Sequence, residues 1–148
     1  IQFVKEGIEI LIPKSKTDQG GEGQVCAIPY GNENLCPVTV LKQWQSLAQK
    51  ESGPVFSKSQ ESDEAIKSNQ INQIIKTVSL SCRLPQADQY SSHSLRRGFA
   101  TEASKKGAPF GAIMRQGRWR HEGTVLGYID EGKRFENNAV STLLDMSE

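Results

Sequence analysis

The chain has 148 residues, 36% hydrophobic and 24% charged, the composition of an ordinary globular domain with enough length for one hydrophobic core. No apolar run approaches the roughly 20 residues that a membrane-spanning helix needs. The formal net charge of +1 by itself argues against a nucleic-acid partner, so such a partner would have to be met by a local basic cluster.

In chain order, the first signal is the alternation Ile8-Glu9-Ile10-Leu11-Ile12, followed by a polar, Gly-rich stretch and a second apolar run, Val25-Cys26-Ala27-Ile28-Pro29. Two short apolar runs around a glycine-rich turn predict an antiparallel β-hairpin. Residues 30–34 are turn-forming. Pro37 then opens a predicted helix to about Lys50, with Val40, Leu41, Trp44 and Leu47 on one core-facing side. Gly53-Pro54 ends that element, Val55-Phe56 is a short extended piece, and 57–63 is a polar loop.

A second helix is predicted from about Glu64 to Leu80, with Ile66, Ile71, Ile74, Ile75 and Val78 as its apolar stripe. Asn69, Gln70, Asn72 and Gln73 lie on its other faces. A loop from Pro85 leads to a helix capped by Ser92, which carries Leu95, Phe99, Ala100 and Ala103 at core-like spacing and stops at Gly107. Short helices follow at about 109–116 and around Val125, Leu126 and Ile129, then an amphipathic segment from Asn138 to Met146. The expected fold class is therefore α+β, mainly α-helical, with a small antiparallel sheet near the N-terminus, and no linker marks a second domain.

The residues that carry chemistry cluster between His93 and Tyr128. In His93-Ser94-Leu95-Arg96 an imidazole and a guanidinium stand three apart, on one face of a helix. The guanidinium fork can grip two phosphate oxygens, and the imidazole can move a proton. Gly117-Arg118-Trp119 turns the chain, and Tyr128, nine residues after the Trp, offers a phenol that can act as a nucleophile. Taken singly, Tyr128 reads more simply as a half-buried aromatic and Trp119 as core. From His93 to Arg120 the basic residues Arg96, Arg97, Lys105, Lys106, Arg115, Arg118 and Arg120 stand against Glu102 alone, which supplies the local positive field. Cys26, Cys36 and Cys82 are scattered and without C-x-x-C spacing, as free thiols in a reducing, cytoplasmic setting would be. No metal-ligand spacing is present.

H-x-x-R, then a Trp after Gly, then Tyr nine positions on, resembles the tyrosine recombinase (phage-integrase) family. The resemblance implies a catalytic domain in which Tyr128 attacks a DNA phosphodiester to form a 3′-phosphotyrosine. His93 would serve as base or proton relay, Arg96 as the phosphate-binding cation, and Trp119 as a hydrogen-bond donor to the phosphate or a packing residue. It also implies a hairpin lysine, for which Lys16 is the better match and Lys14 the weaker. Arg97, Lys105, Lys106, Arg118 and Arg120 would touch DNA, and the Asn and Gln residues of the second helix could face bases.

The resemblance further implies double-stranded DNA as partner, assembly as a homotetramer through the C-terminal helix, and no cofactor or metal. That helix could equally fold back on its own core. The family's first catalytic Arg lies upstream of the hairpin, and no Arg precedes Arg83 here. The chain is thus expected to be a partial catalytic domain without the N-terminal core-binding domain. A catalytically inactive DNA-binding relative and a type IB topoisomerase remain as alternatives.

Overall fold

The computed structural model describes residues 1–13, 23–32, 35–49, 52–59, 62–136 and 139–144. Its elements are strands and helices in the expected α+β order, mainly helical, and they fall into two compact units, Ile1–Lys67 and Ser68–Glu148. The boundary falls immediately before a helix, with no Gly- or Pro-rich stretch to announce it. Among the described residues no helix is long and apolar enough to cross a membrane.

The first unit is built on a three-stranded antiparallel sheet in the order β1 (Gln2–Val4), β2 (Gly7–Ile12), β3 (Gln24–Pro29). The predicted hairpin is β2 and β3, paired with Ile8 opposite Ile28 and Ile10 opposite Cys26. Period-two alternation puts Ile8, Ile10 and Ile28 on one face, where they meet helix α1 (Pro37–Ala48) through Cys36, Val38 and Leu41. Lys42 on α1 donates to the Tyr30 hydroxyl at 2.7 Å and lies over the Phe3 and Tyr30 rings at 5.3 and 5.2 Å. One lysine thus joins the helix to both ends of the sheet's chain segment.

The core face of α1 differs from the reading of its sequence. Val38 is fully buried and Leu41 half-buried, whereas Val40 and Leu47 are exposed. Trp44 is also largely exposed, its indole N–H donating to the Val55 carbonyl at 2.9 Å while its ring tilts against Phe56. Periodicity marks an apolar stripe, but the sheet covers only the end of it nearest Cys36.

Cys36 caps this helix, and its sulfur accepts from the N–H groups of Gly31 at 3.3 Å and Thr39 at 3.4 Å. The hydrogen bond from the Thr39 side chain, then that from its backbone, lowers the thiol from an ordinary value near 9 to about 7, against the opposing effect of burial. A depressed acid pKa means that folding favours the thiolate. Its stabilisation is complete above the unfolded-state value and is lost as pH falls through about 7. The melting temperature is therefore expected to rise between pH 7 and 9, and Cys36→Ser to flatten that rise. Equal slopes in the two proteins, followed by circular dichroism, would remove the thiolate from the account.

The predicted start of the next helix at Glu64 is too early. Lys58 N–H donates to the Glu64 carbonyl at 3.1 Å and Ile66 N–H to the Phe56 carbonyl at 3.0 Å, around a Ser57–Ala65 bridge. The backbone of 64–66 is consumed in closing that loop, so helix α2 begins at Ser68 and runs to Ser81. Ile66 consequently lies outside it.

The second unit contains α2, a single 3-10 turn at Ala87–Gln89, α3 (Ser92–Lys105), α4 (Phe110–Gly117), α5 (Glu122–Gly132) and α6 (Ala139–Leu144). Its core is Ala100, Ile113 and Val125, one residue from each of α3, α4 and α5, with Ala103, Phe110, Met114, Trp119, Tyr128 and Ile129 around them. Leu95 and Phe99, expected in that core, are largely exposed. Gly107 takes φ +80 just past α3 and receives the paired capping bonds, Gly107 N–H to Ser104 O and Ala108 N–H to Ala103 O, both 2.9 Å. On α6, Val140, Leu143 and Leu144 are exposed.

Candidate active site

The cap of α3 is Ser91, one residue before the expected Ser92. Its N–H donates to the Ser94 hydroxyl at 3.2 Å, while the Ser92 N–H is taken by the Asn72 side-chain oxygen at 2.9 Å. Asn72, expected on a polar outer face of α2, is therefore engaged in holding the start of α3. His93 stays in the first turn, with Arg96 one turn on.

α4 ends in the same capping pattern as α3, with Arg118 N–H to Arg115 O and Trp119 N–H to Met114 O, both 3.1 Å. The left-handed position here is held by Arg118, at φ +55, where an L side chain costs about 1–2 kcal/mol relative to the right-handed region. That turn folds the Trp119 ring back over Gly117. A Cβ on Gly117 would overlap three carbons of the indole, so only glycine fits.

The turn delivers two surfaces to Arg96. Its guanidinium lies over the Trp119 ring, 4.3 Å from the centroid, and donates to the Arg118 carbonyl at 3.5 Å. Phe99, one turn along α3, lies parallel to the same indole at 6.3 Å and 9°. Tyr128 meets Trp119 edge-on at 6.3 Å, and its hydroxyl is 3.3 Å from His93 Nε2. His93, Arg96, Trp119 and Tyr128, separated by up to 35 residues, thus converge on one place in the second unit.

The other basic residues have separate surroundings. Arg97 pairs with Glu131 and lies 6.0 Å from the Tyr128 ring centroid. Lys105 pairs with Glu102 at 3.1 Å, Lys106 ends α3, and Arg120 is exposed just before α5. His121 occupies the N-cap position of α5, and the imidazole within reach of the Tyr128 hydroxyl is that of His93. Lys14 and Lys16 lie outside the described residues.

No protein-family model and no solved structure matches the chain. It is 35% identical over 150 residues to an integrase/recombinase xerD homolog of Selenomonas ruminantium, an alignment that covers 97% of this chain. The chain is homologous to XerD-like integrase/recombinases. It spans 43% of the length of that relative.

In this recombinase homologue, the spacing of H-x-x-R, Trp and Tyr located the residues that come together. Three further participants carry no motif. Thr101, Glu131 and Phe99 surround the convergent residues, and the first is recoverable only from helical arithmetic. His93, Arg97 and Thr101 stand four apart on α3, and Tyr128, Glu131 and Gly132 stand on one face of α5. The helix-holding role of Asn72 leaves no local signal because its partner is 20 residues away.

Proposed function

We propose that the chain is the strand-transfer part of a site-specific DNA recombinase working through a 3′-phosphotyrosine. The observation that carries this reading is the approach of the Tyr128 hydroxyl to His93 Nε2, 3.3 Å, beside an Arg96 guanidinium seated on Trp119. A nucleophile, a proton acceptor and a phosphate-binding cation side by side are what transesterification of a phosphodiester requires.

In the proposed step the Tyr128 oxygen forms a bond to the scissile phosphorus as the bond to the 5′ oxygen breaks. The phenolic proton passes to His93. Arg96 donates to the non-bridging oxygens, where charge grows. Lys16 supplies a proton to the departing 5′ oxygen. One phosphodiester replaces another, so rejoining proceeds by reversal without a nucleotide cofactor or metal. Trp119 offers its ring face to Arg96, and its indole N–H remains a donor only, unable to accept a proton.

Duplex DNA is the proposed partner, with Lys105, Lys106, Arg118 and Arg120 as flanking phosphate contacts. Arg97 would join them through the guanidinium donors that its pair with Glu131 leaves over. The exposed Val140, Leu143 and Leu144 of α6 support packing against a second copy in a DNA-bound homotetramer in the cytoplasm. We read residues 1–148 as belonging to a single catalytic domain.

The test is a covalent-adduct assay on nicked duplex containing the DNA that flanks the gene, using the full-length protein. A denaturation-resistant band that requires Tyr128 is expected. Tight binding without a band would favour a non-catalytic DNA-binding protein. Lys16→Ala is expected to slow cleavage of ordinary DNA at least about 100-fold while leaving a 5′-bridging phosphorothiolate nearly unaffected, because a thiolate leaves without an acid. Equal slowing on both substrates removes Lys16 from the acid role.

A further inference from the structure

The α3 and α5 helices meet along two short stripes in matching order. His93 faces the Tyr128 hydroxyl, Arg97 pairs with Glu131, and Thr101 sits against Gly132. The Thr101 hydroxyl is 2.9 Å from the Tyr128 carbonyl and 3.2 Å from the Arg97 carbonyl. A hydroxyl has one proton to donate, and the Tyr128 carbonyl is the nearer acceptor. The bond is partly buried, so water would replace a lost donor only incompletely. At Gly132 a Cβ would overlap the Thr101 methyl, so the absence of a side chain there gives the Thr101 side chain its place against α5.

We infer that Thr101, assisted by the Arg97–Glu131 pair, is a positioning residue that sets the register of α5 on α3 and so holds the Tyr128 hydroxyl at His93. The inference deepens the strand-transfer reading and rests on it for its kinetic consequence. A side-chain hydroxyl reports its position through the backbone of the same residue, and the Thr101 bond fixes that backbone at the carbonyl of Tyr128 itself. The Arg97–Glu131 pair is exposed on both sides, 46% and 42%, so it contributes little stability. Its contribution is angular, one turn from Tyr128, where it resists rotation of α5 about its axis.

The experiment has two readouts, one of which needs no DNA. In the wild-type chain, nuclear Overhauser contacts between the His93 and Tyr128 rings are expected, retained in Thr101→Ser and lost in Thr101→Val. Contacts that persist in Thr101→Val overturn the inference. In the full-length protein, Thr101→Val should slow adduct formation about 100-fold, the order of loss for a misplaced reacting group, while Thr101→Ser stays within about threefold of wild type.

In a His93→Ala background the same Thr101→Val change should cost less than about threefold, because the partner to which it aligns the hydroxyl is gone. Additive losses would make Thr101 merely structural and overturn the proposal. Should Thr101→Val fail to fold, Glu131→Gln carries the same two readouts, and unchanged ring contacts and rate overturn the proposal there too. Ring contacts that behave as expected in a protein that never forms an adduct would refute strand transfer but leave the register role standing.

Discussion

Tyr128→Phe is expected to abolish the covalent protein–DNA adduct, by at least about 10⁴-fold, while changing DNA affinity less than about twofold. The separation of the two effects follows from what the ring and the hydroxyl each touch. The ring belongs to the second core, edge-on to Trp119 at 6.3 Å and to His93 at 6.2 Å, and phenylalanine keeps every one of those contacts. The hydroxyl contributes one long hydrogen bond, to His93 at 3.3 Å, in an exposed setting. Its loss is worth about 1 kcal/mol at most, too little to unfold the unit. Urea titration beside the adduct assay checks both halves. Loss of folding along with the adduct would make Tyr128 a packing residue, and survival of the adduct would move the nucleophile elsewhere.

Gly117→Ala should be the most damaging small change in the second unit. Its methyl would occupy space already filled by the benzo ring of Trp119, and the neighbouring backbone leaves it no other direction because the capping bonds of α4 fix the turn. Overpacking of this kind costs about 1–3 kcal/mol. The site suffers more than the fold, since the indole that must move is the platform under Arg96 and the partner of Phe99. A displacement near 1 Å at Arg96 corresponds to a loss on the order of 100-fold in strand transfer. Adding Trp119→His removes the benzo ring and should restore most of the lost stability, measured by denaturant midpoint. An unchanged midpoint in Gly117→Ala alone would mean that the ring does not rest where it is described.

Much of this molecule is legible in its sequence, and what is hidden follows a pattern. Alternation in Ile8–Ile12 and Val25–Pro29 gave the two paired strands, Pro37 the start of α1, and Gly107 the end of α3. Those signals are local, written into backbone preference. Whether an apolar stripe is covered is not local, and so Val40, Leu47, Leu95 and Phe99 were misread as core. The start of α2 was misplaced because a loop bridge between Ser57 and Ala65 claims backbone that helix periodicity alone would assign to the helix.

At the site, the motif spacing led to His93, Arg96, Trp119 and Tyr128. It could not show that Arg96 rests on Trp119, that Arg97 pairs with Glu131, or that Thr101 bonds the Tyr128 carbonyl. Each of these depends on how α3, α4 and α5 pack, and none leaves a mark at a fixed spacing.

The bond from Ser92 N–H to the Asn72 side chain makes the first turn of α3 a tenant of α2. A helix end normally frays on its own, opening many times for each global unfolding event. Here the amide that would fray first is clasped from outside, so every opening of α2 near Asn72 also loosens the turn that carries His93. Slow amide exchange at Ser92 would then track exchange in the middle of α2 rather than that of its own helix, and the two would share one opening free energy. The helix that carries His93 would then take its persistence in time from a neighbouring helix rather than from its own end.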